Sequence, residues 1–124
     1  MKKYRFLCID DSKSIHAFLG QCLSPFAESI DVAMNGAEGL EKYKANPSAY
    51  DVIFLDWEMP VMDGPTTFKN LSDLGIKIPV VMLTSKNDPS DIVRMIEAGV
   101  ADYILKPFTE DLIRDKLAYV MGEN

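Results

Sequence analysis

An α/β fold, with a parallel sheet covered by helices on both faces, is the class that three observations predict. Five short apolar runs alternate with segments whose apolar residues recur at helical spacing. One run, Val52-Ile53-Phe54-Leu55, is continuously apolar and does not alternate, as a strand buried on both faces should be. The connections are short and carry breakers such as Asn35-Gly36, Pro60, Asp63-Gly64, Gly99 and Pro107. Strand–helix alternation with short connections is the pattern of a doubly wound sheet.

The first strand is read over Arg5–Asp10, where Phe6 to Ile9 are apolar. A first helix follows from the stripe Ile15, Phe18, Leu19, Cys22 and Leu23, at i, i+3, i+4, i+7 and i+8. The second strand, Ile30–Met34, leads through Asn35-Gly36 into a helix over Gly36–Asn46. Val52–Asp56 is the third strand, and the helix over Gly64–Leu74 carries Pro65 in its first turn, a position that needs no N–H. Val80–Ser85, a helix over Pro89–Ala98, the strand Asp102–Leu105 and a helix over Glu110–Met121 complete the series. Ile92 and Ile96 supply the inward face of the fourth helix, and Ile113, Leu117, Val120 and Met121 that of the fifth.

A chain of 124 residues fits one domain, 1–124, and its apolar share of 48% argues against disorder. With 19 acids against 13 Lys and Arg the net charge is −6, which argues against a nucleic-acid surface. The apolar run after the basic start is too short for a signal peptide, and no stretch approaches the roughly 20 residues of a membrane span. Cys8 and Cys22 fall in apolar patterns and read as small buried hydrophobes, which makes a reducing, cytoplasmic location the default. Gly36 and Gly39 belong to no phosphate-binding loop.

The chemistry gathers at the strand ends. Asp10-Asp11 closes the first strand, Asp56 the third, Thr84-Ser85 the fourth, and Lys106-Pro107 follows the fifth. In a parallel sheet these converge on one edge, where such folds bind ligands. Either Asp10-Asp11-Ser12 or Thr84-Ser85 alone could merely cap a helix. All of them falling on the same edge is much harder to obtain by chance. Clustered carboxylates raise one another's pKa values and need a cation. Oxygen-only ligands suit Mg²⁺, and three carboxylates against one Mg²⁺ and one Lys sum to zero. A metal beside an aspartate, with an ammonium and a hydroxyl nearby, is equipment for phosphoryl transfer through an aspartyl phosphate.

The stretches "CIDDS", "VIFLDWEMPVMDG", "VVMLTS" and "DYILKPF" resemble the successive motifs of the bacterial response-regulator receiver domain, the CheY-like family, over essentially the whole chain. The resemblance implies a flavodoxin-like five-stranded sheet of order 2-1-3-4-5 with five helices. It implies a two-component response regulator, chemotaxis being one such process, that takes a phosphoryl group on Asp56 from the phosphohistidine of a histidine kinase or phosphotransfer protein. Asp10, Asp11 and Asp56 would hold Mg²⁺ together with the Glu58 backbone carbonyl. Lys106 would pair with the acceptor and then with the phosphoryl group. Thr84 would bond a phosphoryl oxygen, Tyr103 would move with it, and the Lys106-Pro107 bond would be cis. The resemblance further implies a monomer that catalyses only its own phosphorylation and dephosphorylation. An effector protein would read the phosphorylated state, and no output domain is expected after the fifth helix.

Glu58 and Lys86 depart from the Asn and Glu of the best-known chemotaxis protein. Each follows a pocket residue by two positions, so the pair is expected to flank the pocket mouth as a lid that tunes the phosphorylated lifetime. Trp57 reads as a partly exposed aromatic beside the pocket, and His16, off the helical stripe, as a solvated residue. The alternative function is a phosphatase of the haloacid-dehalogenase type with an aspartyl nucleophile. Those enzymes resemble "DxDGT", whereas this chain has "DWEMP", places its paired acids upstream and has no cap insertion. A mononucleotide- or flavin-binding module of similar topology would need a phosphate loop that is missing.

Overall fold

Within residues 2–123, which a computed structural model describes, the five apolar runs become five strands. They are β1 (Tyr4–Ile9), β2 (Ala27–Ala33), β3 (Val52–Asp56), β4 (Val80–Thr84) and β5 (Asp102–Leu105). All pair in parallel in the order β2-β1-β3-β4-β5. The helices α1 (Lys13–Leu23), α2 (Gly36–Ala45), α3 (Gly64–Asp73), α4 (Pro89–Ala98) and α5 (Glu110–Val120) return the chain between strands. The doubly wound α/β class and its strand order are thus as expected.

Alternation along the strands sends side chains to two separate cores. Phe6, Cys8, Val52, Phe54, Val81, Leu83 and Ile104 pack under α1 and α5, against Leu19, Leu23, Ile113 and Leu117. Leu7, Ile9, Ile53, Leu55, Val80 and Met82 face the other way, towards Tyr43, Phe68, Leu71 and Met95 of α2, α3 and α4. Each such side chain contributes about 1.5–3 kcal/mol when buried, so the central strands anchor the fold. Cys8 and Cys22 are free thiols within the first of these cores. Burial pushes the Cys8 thiol up to about 12, so it is inert.

Side-chain caps start all five helices at Ser12, Asn35, Asp63, Asp88 and Thr109. Gly99, at φ 119°, ends α4 in a conformation that disfavours any Cβ.

Several expectations are corrected. β2 starts at Ala27, before the predicted Ile30, because it is an edge strand whose Glu28, Ser29 and Asp31 can face water without an apolar pattern. β1 and β4 stop one residue early, leaving Asp10 and Ser85 beyond the ladder, where their side chains can turn into the pocket. On α4, Met95 is buried while Ile96 is 42% exposed. Ile96 stands about 100° round the helix from Met95, and a stripe read from spacing cannot choose between them. Phe18 lies at the rim of α1 against Phe108, with ring centroids 5.7 Å apart, and is not fully enclosed.

Candidate functional site at the carboxyl edge of the sheet

Register brings the acids together. Ile9 pairs with Leu55, so Asp10 comes level with Asp56 at the point where strand order reverses. Asp56 pairs with Leu83 and Thr84 with Leu105, which puts Thr84 and Lys106 one step further along the same edge. The Lys106 N–H donates to the Thr84 carbonyl at 2.8 Å, and the following peptide bond to Pro107 is cis. Gly64 fixes the opposite wall: a Cβ there would meet the Asp56 carbonyl oxygen at 2.6 Å. Only glycine lets α3 begin so close to the end of β3.

Asp10 and Asp56 are almost wholly buried, and Asp11 is exposed. One carboxylate oxygen from each lies within 4.8 Å of the others. The Lys106 ammonium donates to Asp56 Oδ1 at 2.9 Å and to Asp10 Oδ2 at 3.2 Å. Burial, then repulsion from Asp10 and Glu58, pushes the Asp56 carboxyl up to about 7 against the pull of Lys106. For Lys106, burial works downward, but the Asp56 and Asp10 carboxylates outweigh it and hold the pKa above its ordinary value. One ammonium therefore does not balance the pocket. The oxygen-only donors and residual negative charge fit a hard divalent cation such as Mg²⁺. The Glu58 carbonyl accepts no hydrogen bond among the described residues and is free to join such a site.

Thr84 is buried, and its hydroxyl donates to Glu58 Oε1 at 3.1 Å while accepting from the Lys86 N–H at 2.9 Å. The Ser85 N–H and hydroxyl donate to the same Glu58 oxygen at 3.1 and 2.8 Å. Burial would raise the Glu58 pKa, but these hydrogen bonds outweigh it and hold the carboxyl below its ordinary range. The expected pairing of Glu58 with Lys86 is not formed. Lys86 instead holds its ammonium 5.7 Å from the centroid of the Trp57 ring. Trp57 itself is 9% exposed and belongs to the core, because α3 and Met95 of α4 close over it. Tyr103 is half-buried under Lys116, whose ammonium lies 5.2 Å from the ring centroid and pairs with Asp102.

His16 is the residue that sequence reasoning misplaced. Its Nε2 lies 2.8 Å from the Asp10 carbonyl and 3.2 Å from the Ala33 carbonyl, and its Nδ1 is buried without a partner. Both partners are acceptors, so Nε2 carries the proton. The ring clasps the ends of β1 and β2 just behind the acidic pocket. A polar residue one turn past the Ser12 cap was the only available signal.

Residues 6–118 match the family described as the response regulator receiver domain. The chain is 35% identical over 123 residues to chemotaxis protein CheY1 of Helicobacter pylori, covering 97% of this chain and 98% of that one. It is 36% identical over 119 residues to sensor histidine kinase CheAY of the same organism, covering 89% of this chain and 14% of the kinase. Among solved structures, CheY in a CheX–CheY–BeF3–Mg²⁺ complex from Borrelia burgdorferi superposes with a TM-score of 0.89 at 26% identity, over 94% of this chain and 87% of that one.

Proposed function

The chain belongs to the response regulator receiver family, and from that premise we propose that Asp56 is its phosphoacceptor. Two-component response regulation is the function of this family, and a phosphatase of the haloacid-dehalogenase type is not favoured. One observation carries the assignment to Asp56. It is a nearly buried carboxylate at the end of β3, 2.9 Å from an ammonium and grouped with two further carboxylates.

The donor is the phosphohistidine of a histidine kinase or phosphotransfer protein. An Asp56 oxygen attacks phosphorus, the N–P bond breaks, its electron pair stays on the imidazole nitrogen, and an acyl phosphate remains. Mg²⁺ held by Asp10, Asp11, Asp56 and the Glu58 carbonyl would offset charge on the phosphoryl oxygens. Lys106 pairs with the ionised acceptor and then with the phosphoryl group. Thr84 turns its hydroxyl to a phosphoryl oxygen, and Tyr103 moves into the space this opens. The surface read by an effector is α4, β5 and α5, where Val93, Ile96, Leu105 and Tyr119 stand exposed. The protein acts as one monomeric receiver domain in the cytoplasm, with no catalysis beyond its own phosphorylation and dephosphorylation. The relatives' names favour chemotaxis as the process.

The test is incubation with Mg²⁺ and phosphoramidate, followed by intact-mass measurement. The wild type should gain one phosphoryl group and Asp56→Asn none. Labelling of Asp56→Asn at the wild-type level would move the acceptor elsewhere.

A further inference from the structure

The Thr84 hydroxyl and the Ser85 N–H, which a phosphoryl oxygen would need, are already engaged. The Thr84 hydroxyl, the Ser85 N–H and the Ser85 hydroxyl all point at one oxygen of the Glu58 carboxylate. No other anion shares them among the described residues, and Lys86 lies away from Glu58, over Trp57. A carboxylate oxygen and a phosphoryl oxygen are the same kind of acceptor, and charge-assisted bonds to either are strong. Both cannot occupy the Thr84 hydroxyl proton at once. Glu58 also reaches this position from the loop that directly follows Asp56, so its charge adds to the repulsion at the acceptor.

We infer that Glu58 is a resident anion in the subsite that the Asp56 phosphoryl group takes, and that it must leave Thr84 and Ser85 before phosphorylation can be completed. The inference rests on Asp56 being the acceptor. Phosphorylation then exchanges one anion for another on the same donors, so its net gain is smaller than an empty subsite would give. The unphosphorylated state is held by a specific internal contact, and Ser85 is the tether of that contact.

Beryllofluoride, a phosphoryl mimic, tests this in the full chain at fixed Mg²⁺, with half-saturation read by Trp57 fluorescence. Glu58→Ala should bind it about tenfold more tightly, the equivalent of losing one competing charge-assisted bond. Ser85→Ala keeps the Glu58 charge, the Thr84 hydroxyl and the backbone N–H of residue 85, and removes only the hydroxyl that tethers Glu58, so it should also bind several-fold more tightly. The double variant should match Glu58→Ala alone, because the tether has no purpose once the carboxylate is gone. If Ser85→Ala binds at or below wild-type strength, or the double variant is additive, the resident-anion inference fails. Long-range repulsion alone would tighten Glu58→Ala and leave Ser85→Ala unchanged, which counts against it equally. Asp56→Asn separates the underlying reading: wild-type binding by that variant would remove the acceptor assignment itself.

Discussion

The Lys106 ammonium sits 2.9 Å from Asp56 and 3.2 Å from Asp10, one cation shared by two buried carboxylates. The Asp56 carboxyl, raised by burial first and by Asp10 next, titrates at about 7, against 3.8 when unperturbed. Across that window the folded protein keeps a proton that the unfolded chain has released. The stabilisation is complete below the unfolded value and is lost as pH rises through the folded one. Denaturation of the metal-free protein from about pH 5.5 to about pH 8 should therefore show falling stability. Asp56→Asn should remove that slope. Mg²⁺ should flatten it by stabilising the ionised form, and should raise the melting temperature of the wild type most at the alkaline end. At a hundredfold excess over Kd the gain is about 2.7 kcal/mol. A wild-type slope equal to that of Asp56→Asn, or a melting point indifferent to millimolar Mg²⁺, would count against this account of the pocket.

His16 should matter more than its place on α1 suggests. Its Nε2 N–H bridges the Asp10 and Ala33 carbonyls. Removing the donor leaves the Asp10 carbonyl short of a partner in a buried position, at a cost of about 1–3 kcal/mol. His16→Leu should lower stability by that order and weaken Mg²⁺ binding, since Asp10 would no longer be fixed from behind. His16→Gln, whose amide can reach the same carbonyls, should recover much of both. Equal Mg²⁺ affinity in His16→Leu and wild type would reduce the residue to ordinary packing.

The fate of His16 shows where sequence stops being informative. Asp10, Asp56, Thr84 and Lys106 could be placed together from the sequence, because a parallel sheet brings every strand end to one edge whatever the side chains do. β3 and α4 were bounded to the residue, one by Asp56 closing an unbroken apolar run, the other by Pro89 and a left-handed Gly99. The Ile96 and Phe18 assignments failed for a different reason. Helical spacing gives a stripe's width but not its rotation against the sheet. The His16 clasp, made from α1 onto the ends of β1 and β2, and the Glu58 contact, made by the loop after β3, both run between elements, and no periodicity encodes them.

Val61 is a strained position with a simple remedy. It has φ 71°, is 87% exposed, and sits in a three-residue turn closed by the Met62 N–H on the Pro60 carbonyl at 2.7 Å. A β-branched residue in the left-handed region costs about 1–3 kcal/mol, and its side chain recovers little of this in contact with solvent. Val61→Asn accepts the same backbone more readily and should stabilise the protein by about 1 kcal/mol. Urea denaturation measures it, and a loss of stability would show that the backbone at Val61 holds no strain that a substitution can relieve.

The contact between Lys86 and Trp57 turns the expected lid into a state-dependent one. In this arrangement Glu58 is bonded to Thr84 and Ser85, and Lys86 covers the indole, so no Glu58–Lys86 barrier stands at the pocket mouth. If phosphorylation displaces Glu58, as inferred above, its freed carboxylate gains a cation within reach, and Lys86 leaves the ring to meet it. An exposed pair of that kind is worth only about 0–1 kcal/mol, and the cation–π contact it replaces about 0.5–1 kcal/mol. The exchange is thus close to neutral for folding, and Lys86→Ala should melt within a few degrees of wild type. Its effect falls on water instead. Hydrolysis needs a water in line with the acyl-phosphate bond, and each 1.36 kcal/mol added to that barrier slows it tenfold. Lys86→Ala should therefore lose the phosphorylated state several-fold faster after donor removal. It should also lose most of the Trp57 fluorescence change that phosphorylation produces, because the cation that moves is gone. Wild-type decay together with an intact fluorescence change would leave Lys86 as a surface lysine that happens to rest on Trp57.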